Sequence, residues 1–319
     1  MSHSILVTDK VTRSGLYPIT DEDAFEVLSV DDSHSEEFES ALADAEALIV
    51  RSATTVSRDL ISRAPKLSAV GRAGVGVDNI DIEAATEHGV AVFNAPGGNT
   101  IAAAELTMGL ILSVARKIAA ADASVRAGRW ERAAFKGVEL RGKVLGLIGA
   151  GRIGGEVARL SRAFGMGVIA YDPYLTEERA RDLGVPLVSL EEVLDNGDFI
   201  SVHVPLTDET RGICGTDELK RVKSTAFVVN ASRGGVVDED ALADALRNGD
   251  IAGAALDVYE SEPLPEDSPL RGAPNLVLTP HVGASTGEAQ VSVATEVARK
   301  IRDWLLEGDH SDALNGAEL

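Results

Sequence analysis

The chain has 319 residues, 45% of them hydrophobic, which is enough for a large core and long for one domain, so two domains are expected. A net charge of −21 sets it against nucleic acid and anionic membranes, and a single cysteine excludes an internal disulfide framework or a multi-cysteine metal cage, so no metal site is expected. No apolar run reaches about 18 residues and the start shows no basic stretch leading into an apolar one, so neither a membrane span nor a secretory leader is expected and the expected location is cytoplasmic.

In chain order, "SILVT" (4–8), "FEVLS" (25–29), "ALIV" (47–50) and "LSAVGRA" (67–73) read as strands, and 35–45 and 57–64 as helices. Ser57 is the expected N-cap of the second helix and Pro65 its stop. "NAPGGNT" (94–100) breaks the alternation, and a single long helix is expected over 100–128. That helix is apolar around much of its circumference, the mark of burial in a core or against a second copy of the chain.

A second βα series follows. Strands are expected at 144–149, 167–171, 198–204, 226–230, 252–257 and 276–279, with helices near 152–164, 176–183, 216–222 and 238–248. A last helix, 285–306, is expected to cross back. The pattern predicts an α/β chain of two Rossmann-like, doubly wound parallel-sheet domains, the first of them discontinuous. The expected division is 1–97, 98–283 and 284–319, the last segment completing the first domain.

"VLGLIGAGRIGGEVARL" runs a buried strand into Gly149-Ala150-Gly151-Arg152-Ile153-Gly154 and then into an amphipathic helix. An isolated G-x-G-x-x-G is weak evidence, but here the strand, the helix and an acidic residue at the end of the next strand are all in place. The first glycine allows the tight turn, the second the approach of a pyrophosphate, and the third close packing of helix on strand, with the helix N-terminus facing the phosphates. Asp172 lies 18 residues past Gly154, where a carboxylate accepts from ribose hydroxyls and repels a 2′-phosphate, so NAD is expected rather than NADP.

Three further stretches follow strands of the same domain: "NASRGG" with Arg233, "ALDVYESEP" with Asp257 and Glu262, and "LTPHVGAS" with His281. Ligands of open parallel sheets bind outside the carboxyl ends of the strands. A lone loop histidine is ordinarily just solvated. Beside a glutamate, an arginine and a dinucleotide turn, it becomes a candidate proton donor for reduction of a 2-keto acid. Glu262 would favour its imidazolium form, and Arg233 would grip the substrate carboxylate. A zinc reading lacks an H-E-x-x-H or a cysteine pair.

These residues carry a resemblance. "RSATTV" (51–56), "GRAGVGVDNID" (71–81), "NAPGGNTIAAAELTMGLIL" (94–112), "GLIGAGRIG" (146–154), "NASRGGVVDE" (230–239), "ALDVYESEP" (255–263) and "PHVGAST" (280–286) make the chain similar to the D-isomer-specific 2-hydroxyacid dehydrogenases over nearly its whole length. The resemblance implies Arg233 and Glu262 as catalytic residues and His281 as proton donor. It implies cofactor contacts from the glycine turn, Asp172, Pro205, Thr210, Ala231, Asp257, Gly283 and Ala284. It also implies substrate contacts from the Gly74-Val75-Gly76 backbone, Ser52 and Asn99. "RSATTV" and "WERAAFKG" point to the branch that acts on a phosphorylated 2-hydroxy or 2-keto acid, with Arg51 and then Arg132 as the phosphate candidates. A hydroxypyruvate or glyoxylate reductase needs no such cation, and an NAD(H)-sensing corepressor would share the fold without turnover. The apolar 100–128 region is expected to be partly intersubunit, in a homodimer, and closure on hinges near 95–99 and 282–286 is expected because the reaction must exclude water.

Overall fold

A computed structural model describes residues 2–319. The chain divides into two compact units, Met1–Asn99 with Ala284–Leu319, and Thr100–Gly283.

The first segment carries β1 (His3–Val7), α1 (Tyr17–Thr20), β2 (Phe25–Ser29), α2 (Glu36–Leu42), β3 (Ala47–Val50), α3 (Arg58–Ser62), β4 (Ala69–Arg72), α4 (Ile82–Glu87) and β5 (Ala91–Asn94). The middle segment carries α5 (Thr100–Arg116), α6 (Ile118–Arg126), β6 (Val144–Ile148), α7 (Arg152–Ala163), β7 (Gly167–Tyr171), α8 (Glu177–Leu183), α9 (Leu190–Asn196), β8 (Phe199–Val202), α10 (Thr216–Arg221), β9 (Phe227–Asn230), α11 (Glu239–Asn248), β10 (Gly253–Leu256) and β11 (Leu276–Leu278). The last helix, α12 (Gly287–Glu307), belongs to the first unit.

In the first unit the five strands are all parallel in the order β2-β1-β3-β4-β5, so the winding reverses between β1 and β3. One face of this sheet packs Leu48, Val70 and Val92 against Phe38 and Leu42 of α2 and Ala84 and Ala85 of α4. The other face packs Ile49, Ala69 and Phe93 against Val293, Val297 and Ile301, the apolar stripe of α12. Each fully buried side chain of this kind contributes about 1.5–3 kcal/mol.

In the second unit six parallel strands run β11-β10-β9-β8-β6-β7, reversing between β6 and β8. Ile111 and Met108 of α5 and Val157 of α7 cover one face, and Leu219, Leu242 and Leu246 the other. The inner strands β6, β8, β9 and β10 are buried on both faces, which is why they read as unbroken apolar runs rather than alternating ones.

Two features depart from the elements expected. The single helix over 100–128 is two helices, broken at Lys117, which is left-handed with φ 54°. The cause is tertiary: the Ala115 carbonyl, which would accept from residue 119 in a continuous helix, accepts instead from Val138 N–H at 3.0 Å. α5 buries one broad face, from Ala102 to Ala115, whereas of α6 only Ser124 is buried. The short elements α1, α4, α9 and β5 were also not foreseen. α9 had a legible signal, since Ser189 and Glu192 form a reciprocal capping box. Ser57 does cap α3, accepting from Leu60 N–H.

No helix among the described residues is long and apolar enough to cross a membrane.

Candidate active site

The glycine turn sits at the carboxyl end of β6, where the sheet of the second unit reverses. Gly149 has φ 92°, and a Cβ there would lie 2.5 Å from the His203 carbonyl oxygen. A Cβ on Gly154 would lie 2.3 Å from the Gly149 carbonyl oxygen, so helix and turn touch backbone to backbone. Gly151 differs: a Cβ there would meet no protein atom within 4 Å. Nothing in the chain itself requires glycine at that position, and the side it leaves open is the one a pyrophosphate would approach. Gly151 caps α7 without any side-chain acceptor, which leaves the first N–H groups of a 12-residue helix to an external anion.

Asp172 ends the neighbouring strand β7. Its Oδ2 accepts from Ala150 N–H at 2.9 Å, and its Oδ1 accepts from Tyr174 and Leu175 N–H at 3.0 and 3.1 Å. The carboxylate is thereby fixed against the turn while staying partly exposed. These residues fit a dinucleotide with a free ribose, and a 2′-phosphate would meet a negative charge that cannot swing away. Arg152 is exposed and Ile153 half-buried beside it. Pro205 and Thr210 form one loop after β8, the Thr210 hydroxyl donating to the Pro205 carbonyl at 2.6 Å.

His203 was not singled out from sequence. Its Nε2 meets Ser201 Oγ at 2.8 Å, while Nδ1 is shut off from solvent and has no hydrogen-bond partner among the described residues. Burial holds this imidazole neutral, with its pKa pushed down to about 4. Cys214 is buried as well, and burial pushes its thiol up to about 12, so it is inert as a nucleophile at neutral pH.

Strands β9, β10 and β11 are adjacent and parallel, with Asn230 level with Leu256 and Leu256 level with Leu278. Arg233, Asp257, Glu262 and His281 all follow the carboxyl ends of these strands, on one edge of the sheet. The loop bearing Arg233 is pressed onto the next one: a Cβ on Gly234 would lie 1.8 Å from the Tyr259 carbonyl oxygen. Arg233 and Ala231 are half-buried, and Arg233 Nη1 donates to the Ser232 carbonyl at 2.7 Å.

His281 Nδ1 is 2.7 Å from Glu262 Oε2, and Glu262 Oε1 accepts from Tyr259 N–H at 3.1 Å. The imidazole is half exposed, and its Nε2 has no protein partner among the described residues. His281 itself is left-handed, with φ 53°, and its N–H donates to the Asp257 carbonyl at 2.8 Å. A non-glycine residue in that region is uncommon, and it is held here by its surroundings. The holder is Asp257, which is fully buried. Its Oδ1 accepts from the Thr279 hydroxyl at 2.6 Å and Val282 N–H at 2.9 Å, and its Oδ2 from Gly283 N–H at 2.8 Å. Asp257 thus spends its carboxylate on the segment that presents His281. The pair borders an open depression of about 600 Å³, edged also by Tyr259, Leu264 and Arg271.

In the first unit, Arg51 follows β3, and its neighbour Val50 is level with Arg72 at the end of β4. Arg51 is half-buried and Ser52 exposed. Asp9 Oδ2 accepts from Arg51 N–H at 2.8 Å and Thr54 N–H at 3.0 Å, while Asn79 Nδ2 donates to the Arg51 and Thr54 carbonyls at 2.8 and 2.6 Å. The loop is therefore clamped on both its donors and its acceptors. Arg72 is a cation that sequence reasoning passed over, and its guanidinium lies across Gly74, where a Cβ would be 1.7 Å from Nη1. Gly74 is buried, and Val75 and Gly76 are half-buried. Asn99 Oδ1 is buried without a hydrogen-bond partner among the described residues, and Ala284 begins the returning segment. Arg132, in a short 3₁₀ turn of the second unit, is exposed.

Residues 108–283 match the family model described as the D-isomer specific 2-hydroxyacid dehydrogenase, NAD binding domain. The D-3-phosphoglycerate dehydrogenase of Bacillus subtilis is 49% identical over 93% of this chain, and that of Methanocaldococcus jannaschii 50% identical over 94%. This chain spans 56% and 57% of the length of those two relatives. Among solved structures, the TT0316 protein of Thermus thermophilus superposes with a TM-score of 0.86 at 35% identity, covering 98% of this chain and 99% of that one.

Proposed function

This chain belongs to the D-isomer-specific 2-hydroxyacid dehydrogenase family, and from that premise we propose that it oxidises D-3-phosphoglycerate to 3-phosphohydroxypyruvate with NAD, and runs the reduction in reverse. The observation that carries the chemistry is the Glu262–His281 pair, 2.7 Å apart, on the sheet edge that also holds the dinucleotide turn.

NAD, when bound, supplies the hydride acceptor; the chain supplies the rest. His281 Nε2 takes the proton of the C2 hydroxyl as the C2–H bond breaks, and returns it to the carbonyl oxygen in the reverse direction. Glu262 fixes the ring through Nδ1 and compensates the charge of the imidazolium that forms. Arg233 grips the C1 carboxylate and the C2 oxygen with its planar fork. Asp257 acts through the 279–283 segment, keeping His281 in its left-handed conformation. Taken by itself, the first unit offers an anion the Val75 and Gly76 N–H groups, and offers a phosphate the positive charge of Arg51 and of Arg72 on the next strand. A protein of net charge −21 needs such local cations to draw in an anionic substrate.

A second copy of the chain is the partner proposed for α6 and the turn after it, where Ile118, Val125 and Trp130 are 53%, 56% and 78% exposed. Sedimentation of the Trp130→Glu variant would report this as a shift from dimer to monomer.

The test of function is NADH absorbance with 3-phosphohydroxypyruvate, hydroxypyruvate and glyoxylate offered separately. Preference for the phosphorylated acid, lost in Arg51→Ala, is expected. Preference for an unphosphorylated acid would overturn the substrate, and turnover of none would favour an NAD(H)-binding role without catalysis.

A further inference from the structure

The turn after β4 is unusual in how its polar groups are shared out. Gly74 N–H donates to the Arg72 carbonyl at 2.7 Å, and the Gly74 carbonyl accepts from Ala95 N–H at 2.8 Å. The Val75 carbonyl accepts from Asn94 Nδ2 at 2.6 Å. The carbonyls of Arg72, Gly74 and Val75 are thus all used within the protein, whereas the N–H groups of Val75 and Gly76 have no protein acceptor among the described residues. Two consecutive half-buried donors with their neighbouring carbonyls turned away form a concavity suited to an anion.

Asn94 is the only side chain that holds a carbonyl of this turn, among the hydrogen bonds described. It ends β5, is 8% exposed, and lies level with Arg72 in the sheet register. Its own carbonyl is held in turn by Lys300 Nζ at 3.1 Å, from α12. Lys300 is 7% exposed, with Glu296 and Asp312 carboxylates at 3.5 and 3.4 Å. A buried lysine spent on a main-chain oxygen and balanced by carboxylates is a costly device for holding one strand end in place.

We propose that Asn94 is a positioning residue for substrate recognition: by fixing the Val75 carbonyl, it aims the Val75 and Gly76 N–H groups at the substrate carboxylate. This rests on the reading that the site takes a 2-keto acid. Without the Nδ2 donor, the Val75–Gly76 peptide is free to rotate. It then presents its carbonyl, rather than an N–H, to an incoming anion.

The experiment is an amide chemical-shift titration of the ¹⁵N-labelled chain with hydroxypyruvate, followed at Val75 and Gly76, beside a separate titration with NAD. Asn94→Leu matches the side chain in size and removes the donor. Its half-saturation with hydroxypyruvate should rise about 10- to 100-fold, the worth of one hydrogen bond to a charged group, while NAD binding stays within about twofold. Asn94→Asp replaces the donor by an acceptor beside the anion and should weaken binding further. KM for the keto acid should rise by the same factor with kcat changed less. Hydroxypyruvate affinity unaltered in a variant that still binds NAD would overturn the proposal. So would equal loss for both ligands, and so would absence of any Val75 or Gly76 shift in the unmodified protein. Because binding is read directly, a chain that binds the keto acid without turning it over would refute the proposed activity and leave the role of Asn94 standing.

Discussion

Asn in place of Asp257 tests whether the His281 segment is held from below. The carboxylate receives Thr279 Oγ1 and Val282 N–H on one oxygen and Gly283 N–H on the other, at 2.6, 2.9 and 2.8 Å, in a site with no solvent exposure. An amide of the same shape keeps one acceptor. Its NH₂ must then face either Gly283 N–H or the Val282 and Thr279 donors. One hydrogen bond to a charged group is lost, about 1.5–3 kcal/mol, and a buried donor is left facing a donor, about 1–3 kcal/mol more. The sum, about 2.5–6 kcal/mol, corresponds to a fall in melting temperature on the order of 5–24 °C for a unit of this size. His281 takes its N–H bond from the Asp257 main chain and its left-handed φ of 53° from the same segment. Loosening that segment should therefore lower kcat as well, by about tenfold or more even at temperatures where the variant is folded. Thermal unfolding by circular dichroism and steady-state reduction of the keto acid read the two effects. An Asp257→Asn chain with wild-type melting and wild-type kcat would show that the reasoning about the buried carboxylate is wrong.

Other outcomes follow from the same geometry. Glu262→Gln should lower kcat/KM by about 10²-fold, because the ring loses the carboxylate that orients it and the imidazolium its counter-charge; turnover equal to that of the unmodified chain would contradict the assigned pair. Gly154→Ala puts a methyl 2.3 Å from the Gly149 carbonyl and should abolish NAD binding measured by fluorescence, whereas Gly151→Ala, which meets no protein atom, should fold normally and weaken NAD alone. His203 binds a proton more readily unfolded, near 6.5, than folded, near 4, so stability is complete above pH 6.5 and falls as the pH drops toward 4. The loss approaches about 3 kcal/mol at 1.36 kcal/mol per unit, and urea unfolding of His203→Gln should show a flatter dependence on pH over that range. Finally, an excess of 51 acidic over 30 basic residues predicts a melting temperature that rises with molar KCl; indifference to salt would argue for an ordinary acidic protein.

Much of this protein is determined by its sequence alone, because the relevant signals are local. The apolar runs of 4–8, 144–149 and 226–230 are long enough to be buried on both faces, so a parallel sheet was legible without coordinates. The glycine turn announces itself because its spacing encodes backbone geometry at Gly149 and Gly154 directly. Chain order also placed Arg233, Glu262 and His281 at strand ends, since each follows its apolar run within a few residues.

Only the tertiary structure decided the rest, because it depends on partners far apart in the chain. No residue near Lys117 breaks a helix; Val138, far along the chain, does so by taking a carbonyl. Asp257 looked like a ligand contact from its place in the motif, and only the fold shows its oxygens turned to residues 279, 282 and 283. Asn94 opens the 94–100 break, but nothing in the sequence sets its side chain apart there. Its importance arises because β5 lies beside β4, which brings an amide donor to the Val75 carbonyl 19 positions back. A hydrogen bond is short-ranged and directional, so the sequence can supply its donor and acceptor, while their meeting is set by strand order and packing.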